Sequence, residues 1–175
     1  MGSITYDVAV SLDGYISGPD DDVSAFPTEG DHVDAYFQRM QEYDAVIMGR
    51  KTYEFGYQHG LQPGQAPYPD MDHFIVATGL KVPTDAKIQI ISNDILNQVS
   101  ALKQTYRSIY LCGGGELAGL LLAHDLIDQL CLKSAPVILG HGVKLFGETK
   151  SNATFHCDST INHSSGVNTM SYTLP

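Results

Sequence analysis

Short apolar runs that stop at turn residues alternate with helical patterns through most of this chain, and two such runs close it in succession. That alternation limits the fold more than any other feature. Runs of strand length stand at Thr5–Leu12, Ala45–Met48, His73–Ala77, Lys87–Ile91, Ser108–Cys112 and Gln129–Ala135. A helix is expected from Asp31, where Val33, Tyr36, Phe37, Met40 and Tyr43 follow the i, i+3, i+4, i+7 rule. A second is expected after Asn93 as its cap, and a Leu-rich third over Glu116–Ala123. Residues 153–163 and 167–174 read as a closing hairpin around Ser164-Ser165-Gly166. Strands buried on both faces by crossover helices favour parallel pairing. The pattern therefore predicts one α/β domain over residues 1–175. It has three layers, with helices on both faces of a mostly parallel central sheet and an antiparallel strand at the C-terminal edge. In such sheets ligands sit beyond the carboxyl ends of the strands, near helix N-termini.

Charge narrows the partners. Ten basic residues face twenty acidic ones, a formal net charge of −10, and eight carboxylates precede the first basic residue, Arg39. Nucleic acid needs a basic face to replace its counterions, so that class is excluded. A phosphorylated ligand would have to be held by a few local cations and backbone N–H groups. No apolar run reaches the roughly 18–20 residues that cross a bilayer, and Met1-Gly2-Ser3-Ile4 lacks the start of a signal peptide. A cytoplasmic protein without a membrane partner is expected. Cys112, Cys131 and Cys157 are odd in number and form no CxxC pair, which argues against a disulfide framework or a zinc site. Asp20-Asp21-Asp22 lacks the spacing of a calcium loop and reads as a solvated acidic turn. No metal is expected. His59, His73, His124 and His141 read as surface or loop residues.

Two glycine-marked turns carry the chemistry. Cys112-Gly113-Gly114-Gly115-Glu116-Leu117 joins a strand to a helix, where missing Cβ atoms let backbone approach a ligand and the next N–H groups meet an anion. Three glycines in a row cost backbone entropy with no evident packing return, which favours a ligand there. The loose match of Gly113, Gly115 and Ala118 to a Rossmann fingerprint fails on context, because Lys133 stands near the place of the ribose-binding acid. In the second turn, Val46 to Gly56 (VIMGRKTYEFG), a strand ends in Gly49 and two cations, Arg50 and Lys51, follow at a helix start. Residues 56–71, rich in Gly and Pro, read as a surface flap or crossover beside a site.

The segment VIMGRKTYEFG resembles the cofactor-binding segment of dihydrofolate reductases. Ser11-Leu12-Asp13-Gly14, taken with Gly113 to Phe146, resembles the riboflavin-biosynthesis reductase domain and its small stand-alone relatives. The resemblance covers roughly residues 3 to 174. It implies a dihydrofolate-reductase-like fold, a homodimer, and an NADPH-dependent oxidoreductase. The hydride acceptor would be a pterin- or pyrimidine-like heterocycle, including a 5-amino-6-(5-phosphoribosylamino)uracil reductase type of activity. By position, Arg50, Lys51 and Thr52 would hold the adenosine-side and bridging phosphates, and Cys112, Gly113, Gly114, Gly115, Glu116 and Leu117 would line the pyrophosphate. Ala77, Thr78 and Gly79 would sit by the adenosine ribose, Ala9 and Ile16 by the nicotinamide, and Phe37 against the flat substrate ring.

The chain also departs from both patterns. Val33 stands where dihydrofolate reductases carry a carboxylate, and Asp7 where riboflavin-pathway reductases carry a lysine. The serine-arginine pair often found at Ala77-Thr78 is missing, which leaves NADH open beside NADPH, although Arg50 and Lys81 could meet a 2′-phosphate. Asp13 and Asp34 are the candidate catalytic carboxylates. A nucleotide-binding or ligand-sensing protein that keeps the cofactor grip without catalysis is the alternative.

Overall fold

The computed structural model describes residues 1–174. Its main sheet contains β1 (Ser3–Val10), β3 (Ala45–Gly49), β4 (Asp72–Val76), β5 (Gln89–Ile91), β6 (Ser108–Gly113), β7 (Gln129–Ser134), β9 (His156–Asn162) and β10 (Asn168–Thr173). The order across the sheet is β5-β4-β3-β6-β1-β7-β10-β9. The first six named strands pair in parallel, and β10 runs antiparallel to both β7 and β9. The antiparallel element expected at the C-terminal edge is thus β10, with β9 paired outside it. A small ribbon of β2 (Tyr15–Ser17) and β8 (Val143–Lys144) stands apart from the sheet.

Helices cover both faces, which explains why the central strands read as continuous apolar runs. On one face, α3 (Ile95–Thr105) and α4 (Gly115–Leu122) pack Val99, Leu117 and Leu121 on Ile4, Tyr6, Ile47, Ile109 and Leu111. On the other face, α1 (Asp31–Met40), α2 (Arg50–Phe55) and the 56–71 segment gather Met40, Tyr53, Leu61 and Tyr68 around Val46, Met48, Ile75 and Tyr110. Lys103 of α3 reaches Asp128 at 2.8 Å, and Asp128 Oδ2 accepts from the Ile4 amide at 2.7 Å, fastening α3 to the start of β1. Asn93 does not cap α3. Asp94, at φ 43°, is the residue before the helix, while Asn93 Oδ1 accepts from Gln98 Nε2 at 3.2 Å.

One break in the sheet positions everything below. Pairing between β1 and β6 runs from Ser3/Ser108 to Tyr6/Leu111 and ends there. Beyond Tyr6, β1 stays with β7 as far as Val10/Ser134, whereas β6 stays with β3 as far as Gly113/Met48. An irregularity at Ile47/Met48 leaves Cys112 as the extra residue of β6 at this point. The sheet therefore opens between the carboxyl ends of its two central strands.

Candidate active site

The larger cleft lies along the carboxyl ends of the strands and has a volume of about 600 Å³, within the usual range for a small-molecule site. Val8, Val76, Ala77, Thr78, Gly49 and Cys112 line it from the strand ends, with Arg50, Lys51 and Thr52 from the start of α2. Gly114 to Leu117 line it from the start of α4, and Ile16, Ser17, Asp21, Val23 and Val143 from the segments around the β2–β8 ribbon. Its electrostatics are mixed, since Asp21 and Glu116 share the lining with the two cations. Arg50 is half exposed and holds Glu54 at 3.3 Å, an exposed i, i+4 pair worth only tenths of a kcal/mol. Its guanidinium can therefore turn to an anion at little cost. The first bond of α4 runs from the Ala118 amide to the Gly114 carbonyl at 3.0 Å, so the amides of Gly115, Glu116 and Leu117 precede the helix ladder. Amides so placed favour an anion.

The two glycine turns meet. A Cβ built on Gly49 would lie 3.6 Å from the Gly114 amide nitrogen, and one on Gly114 would lie 3.4 Å from Thr52 Oγ1. Those spaces are open enough for a side chain, which makes them open enough for a ligand. Gly113 adopts φ +121°, a conformation only glycine takes readily. Gly115 differs. A Cβ there would stand 2.1 Å from the Lys144 carbonyl oxygen, so this glycine exists for the close packing of α4 on the β8 segment. The expectation that the triple has no packing return is corrected at its third member.

A second cleft of about 150 Å³ lies on the α1 face, lined by Ala9, Phe26, Pro27, His32, Val33, Tyr36, Lys133, Ala135 and Val167. Val8 faces the first cleft and Ala9 the second, because successive residues of a strand point to opposite faces. The two clefts thus lie on opposite faces of β1, and the segment from Ile16 to Pro27 contributes to both linings. Beneath the second cleft Asp7, 1% exposed, is held by Lys133 Nζ and by Arg39 Nε at 2.9 Å. Burial raises the Asp7 carboxyl, but Lys133 and Arg39 more than reverse it, so it sits below the usual carboxylate value. Lys133 Nζ lies 4.5 Å from the centre of the Tyr36 ring. The Tyr36 hydroxyl meets those of Tyr68 (3.3 Å) and Tyr110 (3.4 Å), and Tyr68 meets Cys112 Sγ at 3.6 Å. Burial pushes both the Tyr36 hydroxyl and the Cys112 thiol up, so neither is a ready anion.

The expected site residues divide. Ile16, Gly49, Arg50, Lys51, Thr52, Ala77, Thr78, Cys112, Gly114, Gly115, Glu116 and Leu117 all line the first cleft, while Gly79 and Gly113 lie outside that lining. Ala9 lines the second cleft, apart from Ile16. Phe37 is 60% exposed and lines neither cleft; Tyr36 and Val33 face the second one instead. The helix turns about 100° per residue, which carries Phe37 off the inner stripe of Val33, Tyr36 and Met40. Neither candidate carboxylate lines a cleft. Asp13 accepts from Ser11 Oγ (2.7 Å) and from the amides of Leu139 (3.1 Å) and Gly140 (2.7 Å). The Ser11 bond and the two amides bring its carboxyl down to about 2, and the same bonds tie its turn to the Leu139–Gly140 loop. Asp34 is exposed on the outer side of α1. His73 is not a surface residue: it is 2% exposed, and its Nε2 accepts from the Tyr68 amide at 3.1 Å.

Lys133, Tyr36 and His32 are not among the site residues that the sequence suggests. A usable signal existed: Asp7 and Lys133 are residues of opposite charge inside strands that carry no other charge. Among the described residues no group of three or more His, Cys, Asp or Glu side chains could hold a metal, and no helix is long and apolar enough to cross a membrane.

This sheet order, opened at its centre with a cleft on either side, defines a dihydrofolate-reductase-like fold. The chain superposes on a candidate riboflavin biosynthesis protein of Shewanella sp. PV-4 with a TM-score of 0.83, at 24% identity over 100% of this chain and 99% of that one. It superposes on the dihydrofolate reductase of Enterococcus faecalis, complexed with NADP(H) and RAB-propyl, with a TM-score of 0.70, at 14% identity over 99% and 96%. Residues 3–169 match the RibD C-terminal domain family, and the chain belongs to it. The uncharacterized protein YwjB of Bacillus subtilis (strain 168) is 32% identical over 157 residues, 87% of each chain.

Proposed function

We propose that the chain is an NADPH-dependent reductase that passes a hydride to a small pterin- or pyrimidine-like heterocycle. The observation that carries this reading is the opening between β1 and β6, with a nucleotide-sized cleft on one side and a ring-sized one on the other. A dihydronicotinamide held in the first cleft would supply the hydride from its C4 to a C=N or C=O carbon of the acceptor, whose heteroatom then takes one proton. Arg50, Lys51, Thr52 and the amides of Gly115 to Leu117 would bind the phosphates. Val8, Ile16 and Cys112 would orient the ring at the opening, and the Ile16–Pro27 segment would exclude water from both halves. As a homodimer, the protein would cover edge strand β9, whose residues are all exposed.

The non-catalytic alternative draws on one observation, the absence of any carboxylate from the lining of the second cleft. Oxidation of NADPH, followed by its absorbance against a panel of pterins, folates and pyrimidinones, separates the two. Turnover with at least one member supports the reductase. Tight NADPH binding without turnover on any member sinks it.

A further inference from the structure

The second cleft carries a charge that the fold itself leaves uncompensated. Two cations, Arg39 and Lys133, meet one carboxylate, Asp7, and the set retains one positive charge in a chain whose formal net charge is −10. Of the three, only Lys133 lines the cleft, with its side chain 11% exposed. One of its N–H groups is spent on Asp7 and its underside rests on the Tyr36 ring, which leaves donor capacity toward the cavity. No carboxylate answers it there. His32, the other basic residue of the lining, uses Nε2 on the Pro27 carbonyl at 3.2 Å and Nδ1 on Ser165 Oγ at 2.8 Å. Cys131, Tyr43, Tyr110 and Cys112, the other titratable groups around Asp7, do not line the cleft, and burial pushes all four upward, away from an anionic form, as it does Tyr36 in the lining. Apart from the Tyr36 hydroxyl, which meets Tyr68 and Tyr110, the other side chains of the lining are apolar.

We infer that Lys133 is a specificity-determining residue that makes the second cleft a receptor for a small, flat, anionic ring. The volume, about 150 Å³, matches a cavity that takes a single benzene-sized ring. A ring oxygen or deprotonated ring nitrogen facing Nζ gains a charge-assisted hydrogen bond in a desolvated place, where such bonds are strongest. A protonated aminopyrimidine meets the excess positive charge instead, and no carboxylate of the lining answers its own charge in exchange. The cleft therefore selects an oxo-anion over an amidinium. This rests on the reductase reading only for naming the cleft the acceptor's half.

The test is direct binding of two flat pyrimidine rings of opposite charge, barbiturate and 2,4-diaminopyrimidinium, by calorimetry at a mildly acidic pH where both are ionised. The wild type is expected to bind barbiturate more tightly than the diaminopyrimidinium. Lys133→Met is expected to lose about 10- to 100-fold in barbiturate affinity, the range of a hydrogen bond to a charged group. Asp7 keeps Arg39 in that variant, so the buried pair becomes one-to-one. Val33→Asp leaves the Asp7 set untouched and adds a carboxylate to the lining; it is expected to weaken barbiturate similarly and to favour the diaminopyrimidinium. That variant serves if Lys133→Met does not fold. Failure of the wild type to bind barbiturate, a preference for the cation, or unchanged barbiturate affinity in the folded variants overturns the inference. NADPH oxidation is a separate readout. Charge selectivity without turnover would sink the reductase reading alone, and turnover without selectivity would sink this one alone.

Discussion

Asp7→Ala is expected to lower the free energy of unfolding by about 3–5 kcal/mol, the range for removing one partner of a buried ion pair. The carboxylate is fully enclosed and answers both Lys133 and Arg39, so its removal leaves two cations side by side at the centre of the sheet. Urea unfolding of wild type and variant measures the loss; a difference below about 1 kcal/mol, the span of an exposed pair, would show that the charges are effectively hydrated. The same residue sets a pH dependence. Its folded value is lowered, so its contribution is fully present above the unfolded carboxylate pKa, near 4, and is lost as the pH falls through the lower folded value. Wild-type stability is therefore expected to fall below about pH 4, with Asp7→Ala showing a shallower decline over the same interval. Asp13, Asp22 and Asp31, also lowered, add a background of the same sign to both proteins.

Gly115→Ala is expected to destabilise by about 3 kcal/mol, the upper end of ordinary overpacking. The new methyl group would stand 2.1 Å from the Lys144 carbonyl oxygen and 3.1 Å from the Gly147 nitrogen, both backbone atoms that cannot rotate away. Gly49→Ala is the contrast. With φ −74° and its nearest contact at 3.6 Å, it is expected to stay within about 0.5 kcal/mol of the wild type. Thermal unfolding of the pair separates a glycine kept for packing from one kept for a ligand. Equal melting temperatures would remove that distinction.

The two variants also mark what the chain's letters reveal. Gly49 and the glycine triple stand out in sequence because each ends an apolar strand, and Gly49, Gly114 and Gly115 do reach the first cleft. The reason for Gly115 does not stand out, since the carbonyl it accommodates lies 29 residues away, at Lys144. The central strands were legible because both their faces are buried. The β2–β8 ribbon was not, with three residues in one strand and two in the other. Most of the first cleft could be read, because its lining comes from strand ends and the turns that follow them. The second cleft draws on β1, α1, β7 and the residues beside β10, which are scattered through the chain and share no local pattern. Lys133 reaches Asp7 only through the β1–β7 register, in which it pairs with Ala9. Phe37 stood beside Tyr36 on the expected stripe, and one residue of helical phase decided which ring faces inward.

The central claim is that the first cleft holds NADPH, with Arg50 among its phosphate ligands. Nucleotide-dependent thermal shift on wild type and Arg50→Ala tests it most directly, because the weak Arg50–Glu54 pair leaves unliganded stability almost unchanged in the variant. The account predicts that NADPH raises the wild-type melting temperature more than NADH does, and that Arg50→Ala loses most of the NADPH shift. No shift with the wild type, or an undiminished NADPH shift in Arg50→Ala, would contradict it.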